Sequence, residues 1–196
     1  MKYKLTSETK EALGIKLYRI EALMDFSDVE KGDKGGFIKK EENLSQKGNA
    51  WVHGDALVFG NARVFGDAQV FDNAQVFGNA RVFGDAQVFD DAQVYDNAQV
   101  FDNAQVFGNA RVFGDAWVYG DARVYRKVKI IGGYFYHFKT KSEKIEKIEV
   151  DGYELLASNP KFEVDNSSNE KKQELIDKAN ELKEKADELL KKANEL

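Results

Sequence analysis

Ala56-Leu57-Val58-Phe59-Gly60-Asn61 runs directly into Ala62-Arg63-Val64-Phe65-Gly66-Asp67, and the phrase recurs every six residues as far as Ala122-Arg123-Val124-Tyr125-Arg126-Lys127. Counted from Ala50 there are thirteen such blocks, without a slip. A fixed short period is the signature of a stack of identical units, each contacting its neighbours. Within a block, alternation along an extended chain puts Ala and Val on one face and Gln or Arg and the aromatic residue on the other. The pair that follows, such as Gly60-Asn61, Asp72-Asn73 or Gly84-Asp85, is made of residues that tolerate positive φ, so it marks a corner. Four extended residues and a two-residue corner leave no room for a reversal. The chain must wind as a coil, and coil upon coil makes parallel ladders without free edges except at the two ends.

With Val58 and Ala62, Val64 and Ala68, and so on to Val118 and Ala122 as the aliphatic and small positions, the block resembles the hexapeptide repeat of left-handed parallel β-helices. That resemblance implies an all-β solenoid with three hexads per triangular coil and columns at a spacing of eighteen residues. About four coils would fit residues 50–133, a prism roughly 20 Å tall at ~4.8 Å per rung. The stretch Tyr18-Arg19-Ile20-Glu21-Ala22-Leu23, with Asp25-Phe26, Gly35-Gly36-Phe37-Ile38 and Asn43-Leu44-Ser45, is similar to the opening of a largely uncharacterised bacterial and phage family of hexapeptide-repeat proteins. The similarity, over residues 15–133, implies the fold and a bacterial or phage source. It carries no functional residues with it.

The flanks read differently. Residues 1–49 form an N-terminal cap: a short strand from Lys2 to Leu5, a helical turn from Thr6 or Ser7 to Gly14, an apolar stretch Ile15–Met24, extended or helical, and a turn cluster at Gly32–Gly36. Residues 134–164 form a C-terminal β cap, with Asp151-Gly152 as a hairpin turn between alternating runs. Residues 165–169 are a polar linker. Residues 170–196 read as a coiled-coil-like α-helix, because Leu175, Ala179, Leu182, Ala186, Leu189, Ala193 and Leu196 are spaced 4-3-4-3-4-3. That seam predicts a homo-oligomer, and Lys178, Lys185 and Lys192 beside it, with Lys183 on its other side, favour a trimer or other higher-order bundle, or docking on an acidic surface, over a simple pair.

Composition narrows the function classes. The net charge of −5 over 196 residues gives no basic footprint for direct nucleic-acid binding. The absence of cysteine excludes disulfides and thiolate chemistry. No apolar run is long enough for a membrane span and no signal-peptide core follows Met1, so a cytoplasmic protein is expected.

Candidate sites follow from the columns. Phe59, Phe77, Tyr95 and Phe113 should align, as should Phe65, Phe83, Phe101 and Tyr119, and Phe71, Phe89, Phe107 and Tyr125 with His53 at their head. These rings are either a self-stacked ladder or a surface for a protein partner. The corner acids Asp72, Asp90, Asp96 and Asp102 read as turn chemistry in place of glycine, or as a negative stripe imitating a phosphate backbone, a field blunted by Arg63, Arg81, Arg111 and Arg123. Left-handed β-helix acyltransferases resemble this solenoid and use a histidine base, for which His53 is the candidate. His137, the other histidine, falls in the C-terminal cap. Two histidines do not make a three-histidine zinc site within one chain, and no metal or cofactor is expected. A structural or protein-binding solenoid and an acyl-CoA-dependent transferase thus stand as the two readings.

Overall fold

The computed structural model describes residues 1–136 and, for the backbone, 146–150 and 153–164. The described residues lie in one compact unit, Met1–Val164. The expected linker 165–169, the heptad helix 170–196 with its seam residues, and His137 lie outside the described residues.

The hexads wind as read. Gln69-Val70 pairs in parallel with Gln87-Val88, and that pair with Gln105-Val106, each eighteen residues further on. Three columns of such two-residue strands form the sides of a parallel β-solenoid. One side carries five strands, Trp51–Val52, Gln69–Val70, Gln87–Val88, Gln105–Val106 and Arg123–Val124. Along the axis, the N–H of Phe89 bonds to the carbonyl of Val106 and that of Gln93 to the carbonyl of Ala110, at 3.0 and 2.9 Å. The ladder continues this way through the repeat. Inside lie the valines and alanines, from Ala50 to Val124 almost all without solvent exposure. Trp51, the one repeat aromatic that clusters with them, stands at an outward position opposite Gln69 and meets Tyr3 and Phe26 of the N-terminal segment edge to face. A two-methyl and a one-methyl side chain per side fit a narrow triangular cross-section at close-packed density.

The solenoid has about six turns, more than the four read from the strict repeat. At the N-terminal end Phe37-Ile38 pairs in parallel with Leu57-Val58, and Leu44 bridges to Val64, both at an offset of twenty residues. At the C-terminal end Lys129-Ile130 pairs with Arg111-Val112, and Tyr134-Phe135 with Trp117-Val118. Decayed hexads therefore complete a turn at each end. The offset of twenty hides the first one from a search for period eighteen.

The N-terminal segment is a three-stranded antiparallel meander, β1 (Tyr3–Ala12), β2 (Ile15–Ala22) and β3 (Lys34–Ile38). The helical turn expected over Thr6–Gly14 is not formed. Thr9 pairs with Tyr18 and Ala12 with Ile15, and Leu13-Gly14 makes a hairpin turn with both residues at positive φ. The turn cluster expected at Gly32–Gly36 is half strand: Gly35 and Gly36 belong to β3, and a Cβ on Gly36 would fall 2.6 Å from the carbonyl oxygen of Ala56. Close passage over the first full coil requires glycine there.

Polar side chains fasten the meander to the solenoid. Arg19 donates to the carbonyls of Gly35 and Gly54 at 2.7 and 3.0 Å, pairs with Glu8 at 2.6 Å and lies 4.1 Å above the Phe37 ring. Lys2 donates from Nζ to the carbonyls of Gly48 and Ala50, and the Tyr3 hydroxyl donates to Leu44 O at 2.7 Å. Asn43, fully buried, donates to Ala62 O at 2.8 Å. Beyond the repeat, the backbone of Glu146–Val150 pairs antiparallel with Tyr153–Val164, with Val150 opposite Tyr153. Tyr153–Val164 in turn pairs with the last coil.

Candidate functional site

The outward positions carry whatever the solenoid does, because the inward ones are filled. The aromatic columns are in register as the eighteen-residue spacing requires. Phe71, Phe89, Phe107 and Tyr125 stack with centroids 4.8, 4.8 and 4.9 Å apart and planes within 8° of parallel. Phe65, Phe83, Phe101 and Tyr119 do the same at 4.8–5.0 Å, as do Phe59, Phe77, Tyr95 and Phe113. Parallel rings this far apart exceed the ~3.5–4.0 Å of atomic contact, so they are offset along the axis, an arrangement aromatic pairs favour.

The columns are not equally open. Phe59 is buried in a cluster with Leu17 of β2, Phe37 of β3 and Leu57, against which Ile15 and Phe77 also pack. The meander thus covers the head of one column. Most of the other rings are half-buried, touched by their neighbours above and below.

His53 heads the third column and meets Phe71 edge to face at 6.4 Å. Its Nε2 lies 2.8 Å from Gln69 Oε1. The Gln69 amide nitrogen donates to Asn49 O at 3.1 Å, which turns its oxygen toward His53 and puts the ring proton on Nε2 in the neutral form. Nδ1 is then the basic atom. Ser27 and Asp28, from the loop between β2 and β3, share with His53, Gln69, Phe71 and Gln87 an open groove of about 590 Å³. Sequence reasoning missed Ser27 and Asp28, which lie some 25 residues from His53 and carry no spacing signal. Among the described residues no three His, Cys, Asp or Glu side chains converge as a metal-binding group, and no helix is long and apolar enough to cross a membrane.

The corners hold two further ladders. Asp72, Asp90, Asp96 and Asp102 sit at φ of 56–58°, and each carboxylate accepts the backbone N–H of the residue eighteen positions later. Beside them the amides of Asn61, Asn79 and Asn97 form a chain in one direction. Lys40 donates to Asn61, Asn61 to Asn79, Asn79 to Asn97 and Asn97 to Asp115, at 3.1–3.3 Å. A cation stands at the donating end and a carboxylate at the accepting end, the polarity such a chain stabilises.

Two segments of the repeat, residues 74–90 and 104–120, match the model of the YdcK β-solenoid repeat. The match and the parallel ladders agree: the chain is a β-solenoid repeat protein. No curated protein matches it.

Proposed function

We propose that the chain is a non-catalytic interaction solenoid, a rigid three-sided post, wound left-handed, that offers its outward aromatic columns to a protein partner. The covered head of the first column carries this reading. Leu17 of β2 clusters with Phe37 and Phe59, so a stacked column accepts an apolar cover, and among the described residues the rings of the other two columns join no such cluster. Contiguous outward apolar surface of this kind is what partners bury. Residues 170–196 would add self-association, a trimer being the simplest bundle, and a cytoplasmic setting in a bacterial cell suits the family resemblance. For a phage-encoded chain the partner would be a host protein that it blocks.

The test is a pull-down from the native host with the chain and with a variant carrying Phe83→Gln and Phe101→Gln. Loss of a specific partner in the variant, with the circular dichroism spectrum unchanged, is the expected result; identical captures would defeat the reading. Deletion of 170–196 followed by light scattering should lower the mass of the assembly.

A second reading has one observation in its favour, the groove that places Asp28 and Ser27 beside His53. In an acyl-CoA-dependent transferase His53 Nδ1 would take the proton of an acceptor hydroxyl, whose oxygen attacks the thioester carbonyl as the CoA thiol leaves. Stabilisation by acetyl-CoA in a thermal-shift assay, abolished by His53→Ala, would favour this reading over the first.

A further inference from the structure

One outward column changes its chemistry along the axis. Arg63, Arg81, Gln99, Trp117 and Tyr134 stand in register on successive rungs of one side. The two arginines are like charges on neighbouring rungs, ~4.8 Å apart at the backbone, an arrangement that repels. Among the described residues neither forms an ion pair, whereas Lys4, Lys10, Arg19 and Lys34 all do. The repeat does not need the doubled charge, since Arg123 stands on Gln105 elsewhere. At the other end, Trp117 and Tyr134 are 37% and 42% exposed and meet edge to face at 5.4 Å.

Between the ends lies a groove of about 430 Å³ lined by the two arginines, Gln99 and the amides of Asn61, Asn79 and Asn97. Each asparagine spends one N–H and one lone pair on the corner chain, which leaves it one donor and one acceptor. Groups that both donate and accept match hydroxyls, which do the same. A phosphodiester backbone or a run of carboxylates offers acceptors only. Glu41 and Glu42 line the adjoining groove beyond Arg63, so a ligand with a charge on every unit meets repulsion, whereas one with spaced charges does not.

We infer that this column is a track for an extended acidic glycan. A carboxylate or sulfate group bridges Arg63 and Arg81, hydroxyls meet the free amide groups, and the apolar face of a sugar ring lies on Trp117 and Tyr134. The track from Arg63 to Trp117 covers three rungs, ~14 Å. It borders the Phe65 column, since Arg63 lies 5.8 Å over the Phe65 ring and Trp117 meets Phe101 edge to face at 6.0 Å, but its own residues are the arginines, the amides and the Trp117–Tyr134 pair, and their substitution tests it apart from the protein-binding reading.

The two tryptophans make the test direct, because Trp51 is buried and Trp117 is not. The full chain is titrated, with tryptophan emission and calorimetry as readouts, with a hyaluronan oligosaccharide (a carboxylate on alternate sugars), a monosulfated keratan oligosaccharide (a sulfate on alternate sugars), an uncharged cello-oligosaccharide, oligo-dT and oligoglutamate. Binding of either acidic saccharide supports the site and names its oxyanion. In the variant with Arg63→Gln and Arg81→Gln, which places at both positions a residue the repeat already uses, that binding should weaken by about tenfold or more. Trp117→Gln should weaken it as well, and Arg123→Gln, on another side, should leave it unchanged. The inference is overturned if no acidic saccharide binds, if oligo-dT or oligoglutamate binds as tightly, or if the arginine variant binds like the parent.

Discussion

The Oδ2 of Asp90 accepts the backbone N–H of Gly108, one coil later, at 3.0 Å. Asp90 has a φ of 57°, a conformation that costs most residues free energy and that aspartate tolerates because its short side chain can bond locally. Here the bond is to the next rung rather than to the residue's own turn. The carboxylate therefore offsets the backbone strain and stitches two coils together, which explains why aspartate can alternate with glycine at the corner without a break in the ladder.

That relationship separates two substitutions that look similar on paper. Asp90→Ala keeps the strained φ and loses the bond, and should destabilise by about 1–2 kcal/mol. Asp90→Gly loses the bond and removes the strain, and should stay within about 1 kcal/mol of the parent. Urea denaturation of both variants checks the order, and equal losses would show that the carboxylate bond does not matter.

The ring columns predict a distinction between removing a ring and altering it. Phe89 stacks on Phe71 and Phe107, both at 4.8 Å. Phe89→Ala removes two stacked pairs and the apolar area between them, and should cost about 2–3 kcal/mol. Phe89→Tyr imitates Tyr95, which already stacks in the neighbouring column at 4.8 Å, and should be close to neutral. Thermal unfolding followed by far-ultraviolet circular dichroism would measure both.

How much of this was legible varies with how local the signal is. Val58 and Ala62 announce themselves because one period fixes the strand, the corner, the register and the inward face together. Ile130 keeps the eighteen-residue offset to Val112, but Phe37 and Leu44 pair at twenty and Phe135 at seventeen, so the period breaks there and the count of coils falls short. Thr6 and Ser7 have the chemistry of a helix cap, yet the partner of Thr9 is Tyr18 across a hairpin. Tertiary pairing overrides local preference there. Ser27 and Asp28 beside His53, and Trp117 beside Tyr134, were out of reach for the same reason.

The interior predicts asymmetry between its two residue types. Val94 lies without exposure between Val76 and Val112. Val94→Ala should cost about 2 kcal/mol through lost apolar burial and the cavity it leaves. Ala92→Leu should cost at least as much although it adds apolar area, because the triangular interior has no room for the extra methylenes. An Ala92→Leu variant more stable than the parent would mean that the core is less tightly filled than the buried valine and alanine columns imply.

The N-terminal meander predicts a stability optimum at alkaline pH. Burial lowers the Lys2 pKa from 10.5 to about 8, against the opposing pull of Asp67. Between those values the unfolded chain holds a proton that the native chain has released, so stability rises with pH from about 8 to 10.5. Burial, reinforced by Glu41 and Glu42, pushes the Tyr3 phenol well above its ordinary 10.0. Above pH 10 the unfolded tyrosine ionises while the native one does not, so this contribution falls as pH increases. The two together place the maximum near pH 10. At the acid end, the hydrogen bonds of Lys34 and Arg19 lower the Glu8 pKa below its ordinary 4.5, a contribution present above that value and lost as pH falls below it. Lys2→Met removes the alkaline rise, since the side chain can stay buried without a charge to shed. Urea midpoints measured from pH 7 to 10.5 should climb for the parent and lie flat for the variant up to the onset of the tyrosine effect. Parallel curves would show that Lys2 keeps an ordinary pKa in the folded chain.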